Sequence, residues 1–300
     1  MFQELECIAL RTVKYNDRNS ILTVYTKQMG RLAMLLPAGG TREAKRLRAL
    51  CQPMSSFYCV VDIRPNRDVY RMRDVRPATV TFSAGFTAGM ARDNATGASR
   101  GSETGASRGN ETASRGSETG ASRGNVVGGA GGATARVVGP PVMSPVKSAI
   151  ALFMADFLAA ILREPQEDVN LFNYLEMTVS ELWRCPSNRI ANFHLAFLLH
   201  LQHFMGIEPD WSTYAEGRVF DLANGIFRAT PPLHGRYLVP TEASAAYALR
   251  RMTFRTAHIY KLSRTDRNQI LDRVIQYYST HFPGLGAVSS LDVLRSLFSF

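Results

Sequence analysis

Four copies of Ala-Ser-Arg-Gly, starting at Ala98, Ala106, Ala113 and Ala121, break this 300-residue chain into two unlike halves. The tract from about residue 92 to 125 contains almost no large apolar side chain, and a Gly-rich tail, Val126 to Pro141, completes it. Ordering such a segment costs backbone entropy with no compensating burial, so it is expected to be disordered. An arginine in each repeat resembles the Arg-Gly segments that touch nucleic acid. Yet Arg92, Arg100, Arg108, Arg115 and Arg123 are nearly balanced by Asp93, Glu103, Glu111 and Glu118. A repeat expansion tolerated in a surface loop is the simpler reading. Setting the tract aside leaves roughly 250 residues, enough for two ordinary domains. The expected layout is residues 1–82, an insertion at 83–141, and a second domain at 142–300.

The first part reads as β. Cys7 to Thr12, Ser20 to Thr26, Arg31 to Pro37, Met54 to Asp62 and Val69 to Pro77 are short runs rich in branched and aromatic residues, separated by polar or Gly/Pro punctuation. Lys27 to Gly30 suits a tight hairpin with Gly30 at positive φ. Five short strands in about 80 residues suit a small closed barrel, which leaves no exposed sheet edge.

The second part reads as helical. Lys147 to Arg163 places Ile150, Phe153, Met154, Phe157, Leu158 and Ile161 at helical spacing, with Pro165 just beyond. Further helices are expected at Leu171 to Trp183, at Ile190 to Met205 (central, and stopped by Gly206), at Asp266 to Tyr278, and at Val288 to Phe298. Ser263 and Thr265 are candidate caps for the fourth of these. The fold class is therefore α+β with two domains, a β-barrel followed by an all-α body, with the low-complexity insertion between them.

Charge is unevenly shared. The whole chain carries a formal +10, which predicts attraction to a polyanion and says nothing about fold. Residues 1–80 hold fourteen Lys/Arg against seven Asp/Glu, whereas residues 142–240 are slightly acidic. Arg42, Lys45, Arg46 and Arg48 cluster in a loop or short helix between the third and fourth strands. Arg64, Arg67, Arg71, Arg73 and Arg76 decorate the last hairpin, where Arg71 and Arg73 should share one face, opposite Tyr70 and Met72. Cations along a curved surface suit a nucleic-acid backbone, so Arg42, Lys45, Arg46, Arg48, Arg71 and Arg73 are the candidate DNA-binding residues. Tyr15, Tyr25, Phe57, Tyr58 and Tyr70 include candidate stacking platforms, although at least half belong to core packing. A second basic set, Arg250, Arg251, Arg255, Lys261, Arg264, Arg267 and Arg273, reads equally as an ordinary charged helix face, a further DNA surface or a socket for an acidic peptide.

Catalytic signatures are missing. No Gly-rich phosphate loop with its Lys and hydroxyl residue occurs, and the six histidines make no His-Glu-x-x-His. His200 and His203 lie three apart on an apolar helix, a spacing that could serve a metal, but with no carboxylate or cysteine expected nearby a core or surface role is the reading. Cys7, Cys51, Cys59 and Cys185 lack paired spacing and a secretory context and are expected to be reduced. Neither a signal peptide nor a membrane span is legible, so a cytoplasmic, nucleoid-associated protein without cofactor is expected. The chain reads as a binder and not an enzyme.

Five blocks then carry a family resemblance: ALRTVKYNDRNSILTVYTKQMGRL (Ala9 to Leu32), KSAIALFMADFLAAILRE (Lys147 to Glu164), NFHLAFLLHLQHFMGIEP (Asn192 to Pro209), FDLANGIF (Phe220 to Phe227) and LSRTDRNQILDRVIQYYSTHFPGLGAVSSLDVL (Leu262 to Leu294). Together they resemble the recombination mediators of the RecO family over essentially the whole chain outside the repeats. The resemblance implies an N-terminal OB-fold, a helical C-terminal domain, binding of single- and double-stranded DNA, and annealing of complementary strands. It also implies partnership with RecR, in many bacteria with RecF, and exchange of single-strand-binding protein SSB for RecA. Family members recognise the acidic, apolar C-terminal tail of SSB on the helical domain, which makes Arg250, Arg251, Arg255 and Lys261 candidate carboxylate partners beside an apolar groove. Many relatives hold a four-cysteine zinc insertion in the part equivalent to Gly206–Phe220. This sequence has no cysteine there, so the loop from Glu208 to Arg218 is expected to rely on packing through Trp211 and Tyr214 instead of zinc. The competing reading is a general OB-fold RNA- or DNA-binding protein outside recombination.

Overall fold

Alternation of buried and half-buried side chains shows best in the third strand, where Leu32, Met34 and Leu36 point inward and their neighbours outward. Five strands of this kind, β1 (Phe2–Lys14), β2 (Asn19–Thr26), β3 (Gly30–Pro37), β4 (Ser56–Asp62) and β5 (Val69–Pro77), close into a barrel of order β1-β2-β3-β5-β4. The β3–β5 contact is parallel and the others are antiparallel. This is the five-stranded OB-type barrel that the sequence leads one to expect. The coordinates are a computed structural model and describe residues 1–64, 67–78, 144–286 and 288–297. The repeat tract, expected to be disordered, lies outside the described residues.

Leu5, Cys7, Val24, Met34, Phe57, Cys59 and Val61 fill the barrel. A helix, α1 (Arg42–Leu50), joins β3 to β4 and sets Leu47 and Leu50 against the barrel core, with Ala44 buried. Thr41 starts it by accepting the Ala44 N–H, which satisfies one of the unpaired donors of the first turn. Gly30 opens β3 at φ +65°, in the left-handed region, with the Thr26 hydroxyl donating to its carbonyl.

The helical body consists of α2 (Pro145–Ile161), α3 (Val169–Arg184), α4 (Phe193–Phe204), α5 (Pro240–Leu249), α6 (Arg264–His281) and α7 (Ser290–Leu297). Phe153, Phe157, Phe172, Tyr174, Phe193, Phe197 and Tyr278 are fully or almost fully buried and form its centre, and Tyr278 donates to the Leu198 carbonyl. Gly206, at φ +68°, ends α4 region as expected. Of the two candidate caps, Ser263 is the one that works, accepting the Asp266 N–H, while Thr265 falls inside α6. Three short strands, β6 (Val219–Asp221), β7 (Ile226–Arg228) and β8 (Tyr237–Leu238), add a small antiparallel sheet of order β7-β6-β8 that the all-α expectation for this body did not include.

Barrel and helices pack as one compact unit. The Arg31 guanidinium on β3 donates to the carbonyls of Leu162 (2.8 Å) and Ala159 (3.4 Å), orphan acceptors at the end of α2. Gly30 lies so close to Gln166 that a methyl group there would sit 2.0 Å from the Gln166 carbonyl oxygen.

Candidate nucleic-acid interface and partner groove

Because α1 uses a single stripe to meet the barrel, its remaining faces carry the cations. Arg42, Lys45 and Arg46 are exposed. Arg46 makes an exposed pair with Glu43 and reaches the Val75 carbonyl on β5 at 3.5 Å, so it ties the helix to the strand that bears the other arginines. Arg48 is different. Its guanidinium donates to the carbonyls of Ala38, Gly39 and Ala44, which anchors the β3–α1 turn and leaves it half-buried.

On β5 the expected alternation holds as far as Arg73. Arg71 and Arg73 are exposed, Tyr70 is buried and Met72 half-buried. Between Arg73 and Arg76 the strand carries one extra residue relative to β4, and Asp74 takes φ +49°. Such a bulge shifts the alternation by one, so Arg76 emerges to solvent like Arg71 and Arg73 despite its odd spacing from them. Arg73 lies over the Phe2 ring at 5.0 Å. Arg76 pairs with Glu4 and covers the Tyr58 ring, whose hydroxyl donates to Glu6. The cations of β5 thus divide into an exposed group and one neutralised by β1.

Of the five candidate aromatic platforms, Tyr25, Phe57 and Tyr70 are core residues. Tyr58 is engaged by Arg76 and Glu6, and Tyr15 alone of the five is largely exposed. The cysteines are free thiols. Burial, with the neighbouring Cys59, holds the Cys7 thiol well above its ordinary range and pushes Cys51 up to about 12, so neither forms a reactive thiolate near neutral pH.

The helical body presents an apolar groove of about 360 Å³ between α5 and α6, floored by the small sheet. Trp211, Phe220, Leu238, Leu249, Ile270 and Val274 line it, and Glu242, Asp266 and Arg273 stand among the lining residues. Arg273 pairs with Glu242 at 2.8 Å. Arg250, Arg251, Arg255 and Lys261 do not line the groove. Arg250 is folded over the Tyr247 ring at 3.5 Å and donates to the Tyr247 carbonyl, whereas Arg251, Arg255 and Lys261 are exposed. The groove cation that sequence reasoning failed to single out is Arg273. Its signal was the spacing of Ile270, Arg273, Val274 and Tyr277 along one face of α6.

The loop from Glu208 to Arg218, expected to rely on packing, is held by rings and, just beyond it, by one carboxylate. Tyr214 stacks on Tyr247 at 3.7 Å and Trp211 packs on Phe227 and Tyr247, as expected of these two residues. Asp221, fully buried, accepts from the N–H groups of Ala223 and Asn224, the Asn224 amide, Arg228 and His234. Burial alone would raise the Asp221 carboxyl, but hydrogen bonds from Asn224, Ala223 and Arg228 outweigh it and hold the group below the ordinary carboxylate range. The Arg236 N–H donates to His234 Nδ1, so the ring proton sits on Nε2, facing Asp221. His200 Nε2 meets the Met252 carbonyl, whereas His203 meets Glu208 at 2.8 Å, a nearby carboxylate that the sequence reading did not expect; the two histidines thus face different partners. Among the described residues no cluster of three His, Cys, Asp or Glu is placed to hold a metal, and no helix is long and apolar enough to cross a membrane.

Comparison with known proteins agrees with this architecture. Residues 1–80 match the family described as Recombination protein O N terminal, and residues 144–289 match Recombination protein O C terminal. The DNA repair protein RecO of Phocaeicola vulgatus is 30% identical over 299 residues, covering 100% of both chains. That of Bacteroides fragilis is 29% identical across 99% of this chain and 100% of its own. That of Porphyromonas gingivalis is 26% identical, covering 97% of each. Proteins of this kind are recombination mediators that carry out no catalysis of their own. The chain, with an OB-type barrel ahead of a helical body and both family segments in order, belongs to the RecO family.

Proposed function

We propose that this protein binds single-stranded DNA on the cations of α1 and β5, anneals complementary strands, and helps replace SSB by RecA together with RecR and, where present, RecF. Membership of the RecO family carries the reading, and the exposed cluster of Arg42, Lys45 and Arg46, with Arg71 and Arg73 on the neighbouring strand, supports it locally. Each cation that meets a phosphate releases counterions, so affinity should be salt-sensitive and nearly blind to base sequence. Arg48 supports the cluster from beneath, fixing the turn that presents it. Double-stranded DNA offers the same phosphates and is a second ligand of the same surface.

The acidic, apolar tail of SSB suits the α5–α6 groove. Its apolar side chains would enter between Trp211 and Ile270, and a carboxylate would exchange for Glu242 on Arg273. Arg251, Arg255 and Lys261, exposed and outside the groove lining, would act on the tail only as a longer-range positive field, with Arg250 held on Tyr247. Docking there raises the effective concentration of the barrel near the strand. The test is annealing of complementary SSB-coated strands, with intact SSB and with SSB lacking its C-terminal tail. The triple variant R42A/K45A/R46A should anneal slowly on both substrates, and the wild type should lose its advantage only on tail-less SSB. Unchanged annealing by the triple variant would remove α1 from the site.

A further inference from the structure

We propose that the paired ends of β1 and β2 form a rigid arm for single-stranded DNA and that Tyr15, at its tip, stacks on an unpaired base. The inference rests on the single-strand reading above and adds to it a residue that tells single strands from duplex. The first observation is exposure. Every residue from Arg11 to Arg18 is exposed, although β1 and β2 remain paired there as Arg11↔Thr23, Thr12↔Leu22, Val13↔Ile21 and Lys14↔Ser20. Arg11 and Thr12 still border the helical body, but from Val13 onward the side chains belong to no core.

That freedom makes the residues at its end informative. Val13 is 50% exposed and Tyr15 65%, an apolar pair that hairpin formation does not require. Beside them stand Lys14 and Arg18, both exposed, while Arg11 at the base of the arm is turned toward Asp156 of α2 at 3.9 Å. Lys14 pairs with Asp17, which is 97% exposed, a contact weak enough for a phosphate to displace. The tip is ordered in advance: the N–H groups of Tyr15 and Asn16 donate to the Asn19 carbonyl, and Asn16 Oδ1 accepts from the N–H groups of Arg18 and Asn19. An aromatic ring held out on a rigid turn costs little further entropy on binding.

The chemistry that suits this tip is a base face with a phosphate on either side. Stacking on an aromatic ring tolerates any base, because every base has a π-face. In duplex DNA those faces are already stacked on one another, so the ring gains nothing there, whereas the cations gain in both cases. Tyr15 would therefore set the preference for unpaired DNA, and the cations of α1 and β5 the overall affinity.

The test is fluorescence anisotropy with the full-length protein and its Y15A and Y15F variants. The probes are a labelled oligo-dT, the same backbone with abasic sites, and a duplex. We expect Y15A to lose about 5- to 100-fold on oligo-dT, to match the wild type on the abasic strand and the duplex, and to keep its dependence on salt. Y15F should bind as the wild type does. Equal loss on dT and abasic strands, or no loss on either while the wild type binds dT, overturns the stacking role and leaves the single-strand reading standing. Failure of the wild type to bind dT at all brings down both. Because Tyr15 is outside every core, an unchanged melting temperature for Y15A certifies that the comparison is of folded proteins.

Discussion

Replacing Asp221 by alanine should unfasten the segment that runs from β6 to β8. Its carboxylate accepts from two backbone N–H groups, the Asn224 amide, Arg228 at 3.3 Å and His234 at 3.1 Å, and no other described acid stands in this network. Removing one member of a buried charged network costs about 3–5 kcal/mol. Here Asn224 and Arg228 are exposed and can turn to water, which places the loss near the lower end, about 3 kcal/mol. At about 2–4 °C per kcal/mol for a domain of this size, the melting temperature should fall by roughly 6–12 °C. The same carboxyl is held below its ordinary range in the folded state. Its stabilisation is therefore complete above the unfolded pKa of about 4 and is lost as pH falls through the folded value, so the gap between wild type and D221A should close in acid. Thermal unfolding at pH 7 and at a series of acid pH values measures both effects. A D221A protein that melts within 2 °C of the wild type at pH 7 would refute the claim that this carboxylate holds the segment.

Gly30→Ala should cost at least about 2 kcal/mol in urea unfolding, since the left-handed backbone adds about 1–2 kcal/mol and the new methyl would meet the Gln166 backbone. A neutral G30A would mean that the β2–β3 turn and the loop after α2 are not in contact. Exhaustive treatment with a chelator should leave the thermal midpoint unchanged, because rings and Asp221 occupy the place of a zinc staple. A chelator-induced fall would reveal a metal contribution to folding.

The barrel was legible because its strands are long enough to show a period, as β3 does over eight residues. It was legible only up to the irregularities. The bulge at Asp74 and the one between Ala9 and Arg11 move side chains to the opposite face from the one simple alternation assigns. Sequence could not sort Tyr25, Phe57 and Tyr70 into the core and Tyr15 onto the surface, because a period of two separates the faces of a strand without saying which one faces the barrel. The sheet in the helical body escaped because strands of two or three residues have no measurable period. Its one local cue was Asn224-Gly225, a hairpin signal realised with Gly225 at φ +66°. Helix α5 likewise announced itself only by Pro240 at its first turn. Among the site candidates, the count of cations was readable but their engagement was not. Arg48 is committed to three carbonyls, and Arg250 to a ring and a carbonyl. Arg273 meets the groove only because α6 turns it there.

The most direct measurement is the equilibrium affinity of the intact protein for oligo-dT as a function of salt. If three to five cations of α1 and β5 meet phosphates, log K against log salt should fall with a slope of about −2 to −3.5, and R42A/K45A/R46A should flatten it by about 2. A slope near zero, or a triple variant with the wild-type slope, would contradict binding through this basic surface.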